Sequence, residues 1–316
     1  MGLRQVSART IGRLFGMAAE HRFSGMFGVV DRIAEQGRRL LDMPSPFWRP
    51  SHPWRRWMPE QAKGLLKALH RDGIVFLPEF LNKDQLARVH AAIEARFTPS
   101  LAQEMEFSPS NQYYACRQPL AICPEFAEAA IDPDLLDLVG GYFRRIPLLY
   151  ETDFRRVLPL DPAEQERRDA KFTKGYSSSH WHYDTHGREI KVMIYLTDVG
   201  PEDQNFAYCR RSHTGFRSTK YEKSRFSEQY VEERSLEILE CYASAGTAIA
   251  FDTNAIHRLR RRNTRIRDSV TFYYHPGRLR RATPQIIHPA ALAARHDEFA
   301  RYTVLAPSYG TSRKMI

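Results

Sequence analysis

The sequence predicts a mainly β domain with flanking helices, and three observations carry that reading. Between about Arg144 and Pro276 the chain is a series of β-prone apolar runs broken by turn residues. Ahead of it, from about Pro59 to Phe97, the apolar spacing is helical. At 316 residues with 42% apolar content the chain can bury one sizeable core, so no second domain is required.

In chain order, residues 1–58 read as an Arg-rich helical arm. Ile11, Leu14, Phe15, Ala18, Phe23, Phe27, Val30 and Ile33 recur at roughly helical spacing, and Pro44, Pro46, Pro50 and Pro53 close the segment. Residues 59–316 then form the domain with its C-terminal extension. A helix is expected around Lys83 to Phe97, followed by an irregular middle that includes Ser108-Pro-Ser-Asn111. The charged stretch Asp161 to Lys174 reads as a loop or lid. The run from Ala245 to His257 supplies a turn glycine, an apolar β-prone segment and a short polar approach to His257, which suits a ligand at a strand end. Next comes Arg-Ile-Arg-Asp-Ser-Val-Thr-Phe-Tyr-Tyr, a strand in which Arg267, Ser269 and Thr271 share one face. Beyond Pro276 only Pro289-Ala-Ala-Leu-Ala-Ala-Arg-His has a helical pattern.

Cys116, Cys123, Cys209 and Cys241 form no Cys-x-x-Cys pair in a chain of this length, which predicts reduced, inert thiols and a cytoplasmic setting. The N-terminal apolar stretches are short and interrupted by arginine and histidine, so neither a secretory leader nor a spanning helix is expected. Forty-seven basic against thirty-seven acidic residues give a net charge of +10, which favours anionic partners.

The chemistry concentrates in His182-Tyr183-Asp184. Side chains two apart on an extended strand point the same way, so His182 and Asp184 can chelate one ion while Tyr183 faces away. With His257 they make two imidazoles and one carboxylate, a set that occupies one face of octahedral Fe(II) and leaves the other open for a bidentate co-substrate and dioxygen. Arg267 has the planar fork to grip a carboxylate in bidentate fashion, with the Ser269 hydroxyl as a further donor. His180 and His186 lie close enough in sequence to compete as ligands, and a supporting or substrate contact is the expected role for each.

These residues, with Lys191-Val-Met-Ile-Tyr-Leu-Thr-Asp-Val199 and Arg211-Ser-His213, resemble the phytanoyl-CoA dioxygenase family of Fe(II)/2-oxoglutarate oxygenases. The resemblance runs from about Pro59 to Pro276 and begins at Leu69-His-Arg-Asp-Gly-Ile-Val-Phe-Leu-Pro78. It implies a double-stranded β-helix, the jelly-roll or cupin-like barrel. It also implies His182, Asp184 and His257 as iron ligands, and Arg267 with Ser269 as the 2-oxoglutarate anchor. Lys191 and Tyr195, on one face of the next strand, would reach the co-substrate or the substrate. Retention of Asp184, which halogenating members replace with a small residue, implies hydroxylation with Fe(II), 2-oxoglutarate and O2. Where the family reads Pro-Gly-Ser-His this chain has Arg210-Arg-Ser-His213, exchanging a glycine turn for two cations.

The substrate is expected to be a small or membrane-associated anionic molecule, with a lipid-linked sugar or a natural product as alternatives. Arg210, Arg211, His213, Arg188 and His186 are its candidate contacts. No nucleic-acid module accompanies the dense run Arg258-Leu-Arg-Arg-Arg, which argues against nucleic acid. The arm can lie on an anionic membrane surface, pack on its own barrel, or pack on a second subunit. A non-catalytic binding or membrane-docking protein on the same fold is the non-enzyme alternative.

Overall fold

The structure is a computed structural model, and it describes residues 60–97, 105–108, 113–144, 147–159, 163, 180–184, 188–214, 224–260, 264–276, 287–288 and 290–291. The predicted arm, nearly all of the predicted lid and most of the C-terminal extension lie outside these residues.

Helix α1 (Glu60–Asp72) ends at Gly73, whose N–H donates to Leu69 O at 2.9 Å, and strand β1 (Ile74–Leu77) follows at once. Gly73 sits at φ +80°, a conformation that only glycine enters without cost. A Cβ there would lie 2.3 Å from the Tyr208 hydroxyl and 2.5 Å from His213 Nδ1. Gly73→Ala is therefore expected to destabilise the protein by more than about 1 kcal/mol, combining the backbone penalty with the clash. Urea unfolding measures it.

Helix α2 (Lys83–Glu94) opens with a reciprocal cap: Asn82 accepts from the Gln85 N–H, and the Gln85 side chain accepts from the Asn82 N–H. A 3-10 turn, Ala95–Phe97, completes the stretch expected to be helical. The described residues of the segment expected to be irregular are largely regular. They contain β2 (Glu106–Ser108), β3 (Tyr113–Cys116), α3 (Pro124–Ala130) and α4 (Pro133–Phe143). Each of the two helices has proline in its first turn, where the missing N–H costs nothing, and Asp132 caps α4 by accepting from Leu135 N at 2.9 Å. From Leu135 to Phe143 only Asp137 is not buried, so α4 shows none of the alternation that marks a surface helix.

The remaining elements are β4 (Leu148–Val157), β5 (Trp181–His182), β6 (Ile190–Tyr195), β7 (Phe206–Cys209), β8 (Arg225–Phe226), α5 (Glu228–Glu233), β9 (Ile238–Cys241), β10 (Ala248–Asp252), β11 (His257–Leu259) and β12 (Arg267–His275). They form two antiparallel sheets, of order β1-β10-β6-β12-β4-β3-β2 and β8-β5-β11-β7-β9. The fold is a double-stranded β-helix with helices on its outer face.

Strand alternation distributes the side chains into layers. Ile190, Val192 and Ile194 of β6, with Val270 and Phe272 of β12, join Val89, Phe126, Val139 and Phe143 in the core under the helices. Their neighbours Met193 and Tyr195 instead meet Phe206, Tyr208 and Phe251 between the sheets. A smaller cluster around Trp181, Ala207 and Ile256 covers the other side of the five-stranded sheet with Val231 of α5.

Candidate metal centre

His182 and His257 are direct partners in the β5–β11 ladder, which sets their rings side by side with centroids 4.5 Å apart. Two residues beyond His182 the chain has left the strand, yet Asp184 is fixed by its own N–H, which donates to Thr253 O at 2.9 Å. His182 Nε2 lies 3.7 Å from Asp184 Oδ1, and His257 Nε2 lies 3.8 Å from Asp184 Oδ2. One ligand atom from each of the three residues falls within 4.8 Å of the others.

The tautomers favour a metal. His182 Nδ1 is 2.7 Å from His180 O and His257 Nδ1 is 2.8 Å from Ala255 O, so each ring donates through Nδ1 and presents the Nε2 lone pair to Asp184. His180 therefore contributes its backbone carbonyl, while its ring makes no contact with the triad. Phe206 and Phe251 pack on His257 at centroid distances of 5.5 and 5.7 Å and keep water from that side.

Burial holds the His182 imidazole down at about 3, and the adjacent His257 adds to the effect. His257 is lowered for the same first reason. Burial pushes the Asp184 carboxyl up, but Lys191 and the two imidazoles outweigh it and hold the group below the usual carboxylate range. The site at neutral pH is two neutral rings and a carboxylate, the state a divalent ion requires. Metal affinity is accordingly expected to fall less between roughly pH 8 and pH 5.5 than that of an exposed histidine pair. Stability has the opposite sensitivity. The unfolded chain takes up protons near pH 6.5 that folded His182 refuses until about 3, and His257 is shifted in the same direction, so the metal-free protein loses stability as pH falls below about 6.5. Ni(II) titrations and thermal melts across that range check both.

Lys191 and Tyr195 share the inter-sheet face of β6, as alternation predicts, but they do different things. Lys191 Nζ donates to Asp184 Oδ2 at 2.6 Å, lies 3.6 Å from Glu189 Oε1 and sits 4.6 Å over the Tyr273 ring. Glu189 in turn accepts from the Tyr150 hydroxyl. Tyr150 is the extra residue of an irregularity in the β4–β12 register between Tyr273 and Tyr274, a bulge that adds one aromatic to this side. Lys191→Met is expected to weaken Fe(II) binding about tenfold, the usual value of a residue that orients a ligand. Tyr195 is fully buried. Its hydroxyl donates to Cys241 O at 3.1 Å and accepts from Phe206 N at 3.1 Å, so it ties the two sheets together.

Arg267 and Ser269 stand on the same face of β12. Arg267 is buried, donates through one terminal nitrogen to Gln204 O at 2.7 Å and through the other to Ser269 Oγ at 2.8 Å, and its Nε has no partner. Among the described residues no carboxylate pairs with it. Burial lowers its pKa first, and the neighbouring Arg155 lowers it further. A buried guanidinium lacking a counter-ion is costly, and an incoming carboxylate relieves that cost.

The cations expected at the substrate are engaged elsewhere. Arg210 pairs with Glu237 at 2.7 Å and Asp72 at 3.1 Å, and Arg211 reaches Asp72 at 3.4 Å. Hydrogen bonding from Arg71 first, with help from Arg210 and Arg211, lowers the Asp72 carboxyl to about 2 against the opposing effect of burial. His213 Nε2 is 3.1 Å from His70 O, and Arg188 lies 5.9 Å over the ring of Phe143. Among the described residues, none of these contacts involves the triad. His186 lies outside the described residues. Sequence reasoning passed over β4, where Glu151, Asp153 and Arg155 alternate onto the Arg267 side. Glu151, Asp153 and Arg155 at a period of two were the available signal, blurred by Arg156 on the opposite face.

No family model matches the chain, and no curated protein sequence matches it. Among solved structures, the epimerase SnoN of nogalamycin biosynthesis, in complex with Fe3+, α-ketoglutarate and nogalamycin RO, superimposes with a TM-score of 0.53 at 17% identity, over 68% of this chain and 84% of that one. The α-ketoglutarate-dependent carbocyclase SnoK from the same biosynthesis gives 0.52 at 16%, over 67% and 83%. EctD from S. alaskensis with bound Fe gives 0.53 at 18%, over 74% and 82%. At such identities the likeness concerns the fold. No helix of the described residues is long and apolar enough to cross a membrane.

Proposed function

We propose that this protein is an Fe(II)- and 2-oxoglutarate-dependent oxygenase that hydroxylates a C–H bond of a small polar molecule. One juxtaposition supports this above all: a His-Asp-His triad whose two rings are buried and turn their Nε2 atoms to the carboxylate, together with a buried guanidinium that has no carboxylate partner among the described residues. SnoN with Fe3+ and α-ketoglutarate, the α-ketoglutarate-dependent SnoK and EctD with bound Fe share this fold and point the same way.

The residues divide the work. His182, Asp184 and His257 would hold the iron, and Lys191 would keep Asp184 oriented through Oδ2. Arg267 would receive the distal carboxylate of 2-oxoglutarate, with Ser269 free to donate its hydroxyl proton while accepting from Arg267. Phe206 and Phe251 would exclude water from the reacting side. Iron, 2-oxoglutarate and O2 together supply the oxidising power that removes hydrogen from an unactivated carbon. Because Asp184 retains its carboxylate, hydroxylation is preferred over halogenation. The test is anaerobic addition of Fe(II) and 2-oxoglutarate followed by oxygen. A visible charge-transfer band that needs both additions, then succinate release, is expected. Absence of the band in folded protein would overturn the reading.

A further inference from the structure

Resting on the function proposed above, we infer that the β3–β4 floor beside Arg267 is the substrate subsite, and that it takes a neutral, hydroxyl-rich small molecule through Asp153 and Arg155. The register places these residues. Arg155 is opposite Ser269, Asp153 opposite Thr271 and Glu151 opposite Tyr273, so all three stand on the face of β12 that carries Arg267. Tyr113 of β3 adds its ring beneath Arg155 at 5.0 Å.

An inner sheet face normally carries apolar side chains, and a charged set there needs a reason. Structural pairing explains half of this one. Arg155 Nε donates to Asp153 Oδ2 at 2.6 Å, and Arg117 stands 3.7 Å from the same oxygen and 3.0 Å from Glu151 Oε1. The other half is unspent. Asp153 is buried, its side chain 1% exposed, and its Oδ1 has no hydrogen-bond partner among the described residues. The terminal nitrogens of Arg155 likewise have none, and that side chain is 27% exposed.

The charges decide the ligand class. Arg117 and Arg155 face Glu151 and Asp153, and Arg267 on the same face is taken up by 2-oxoglutarate, so the loaded floor has no net charge with which to attract an anion or a cation. What remains is one strong acceptor next to strong donors. Adjacent hydroxyl groups match that pair, one donating to Asp153 Oδ1 while its neighbour accepts from Arg155. An alkyl or acyl chain would leave both unsatisfied. The expectation of an anionic substrate held by Arg210 and Arg211 is thereby replaced, since those cations are already paired with Asp72 and Glu237.

The experiment is ligand binding to full-length protein loaded with Ni(II) and 2-oxoglutarate, read by saturation-transfer NMR and by dissociation constants. The probes are myo-inositol and methyl glucoside against hexanoate and hexylamine. Wild type is expected to bind the polyols and to favour them over both charged probes. Asp153→Asn should weaken polyol binding about tenfold, the usual loss when a hydrogen bond forfeits its charged partner. Arg155→Gln, which keeps a donor but loses the charge and the reach of the guanidinium, serves as the second variant if the first fails to fold, with the same loss expected. Preference for hexanoate or hexylamine, no polyol binding by wild type, or polyol affinity unchanged within twofold in the folded variant would each overturn the inference. Failure of the parent reading looks different, because the Fe(II)·2-oxoglutarate band of wild type would then be missing.

Discussion

Asp184→Ala is expected to remove Fe(II) binding by more than the roughly 100-fold upper range of supporting residues, and with it all succinate release. Asp184 is the one charged donor of the triad and stands within 3.8 Å of both imidazole Nε2 atoms. Its loss leaves Lys191 Nζ without its 2.6 Å partner in a site whose other nearby carboxylate is Glu189 at 3.6 Å. The ammonium would then occupy the space meant for a cation and oppose metal entry by charge. Asp184→Asn separates the two causes, since it keeps the volume and loses the charge. Isothermal titration with Fe(II) under anaerobic conditions measures both variants, and binding within tenfold of wild type in either would dismiss Asp184 as a ligand.

Arg267→Leu should give the second largest effect, and its signature is double. The variant removes a buried guanidinium whose Nε is unpartnered and whose terminal nitrogens are held only by Gln204 O and Ser269 Oγ among the described residues. Without 2-oxoglutarate the protein is expected to melt no lower than wild type, because a buried unpaired charge gives way to an apolar side chain. With 2-oxoglutarate the position reverses. Wild type gains stability in proportion to bound ligand, and the variant does not. Losing a buried charge pair corresponds to about 2–5 kcal/mol, a dissociation constant raised roughly thirtyfold or more. Equal ligand-induced shifts in melting temperature would exclude the anchor role.

How far the sequence revealed this arrangement depended on whether one strand was enough to define it. Alternation put His182 with Asp184, Arg267 with Ser269, and Lys191 with Tyr195, and the structure has each pair on a common side. What alternation does not contain is the partner across a gap. Lys191 meets Asp184 across from β6 of the seven-stranded sheet to the segment that follows β5 of the five-stranded one, and Tyr195 spends its hydroxyl on Cys241 and Phe206. Arg210 and Arg211 looked free because Asp72 lies far away in the chain. Helix α4 lacked a polar face and so lacked a period. The charges of β4 carry no motif, and their meaning appears only when Ser269 and Thr271 are set beside them.

The triad and its helpers come from opposite walls. His182 and His257 belong to the five-stranded sheet, whereas Lys191, Ser269 and Arg267 belong to the seven-stranded one. Coordination is thus a gauge of wall separation, and aromatic spacers such as Phe206 and Phe251, with centroids 4.4 Å apart, set the reading. Trimming a spacer would retune the metal without altering any atom that touches it.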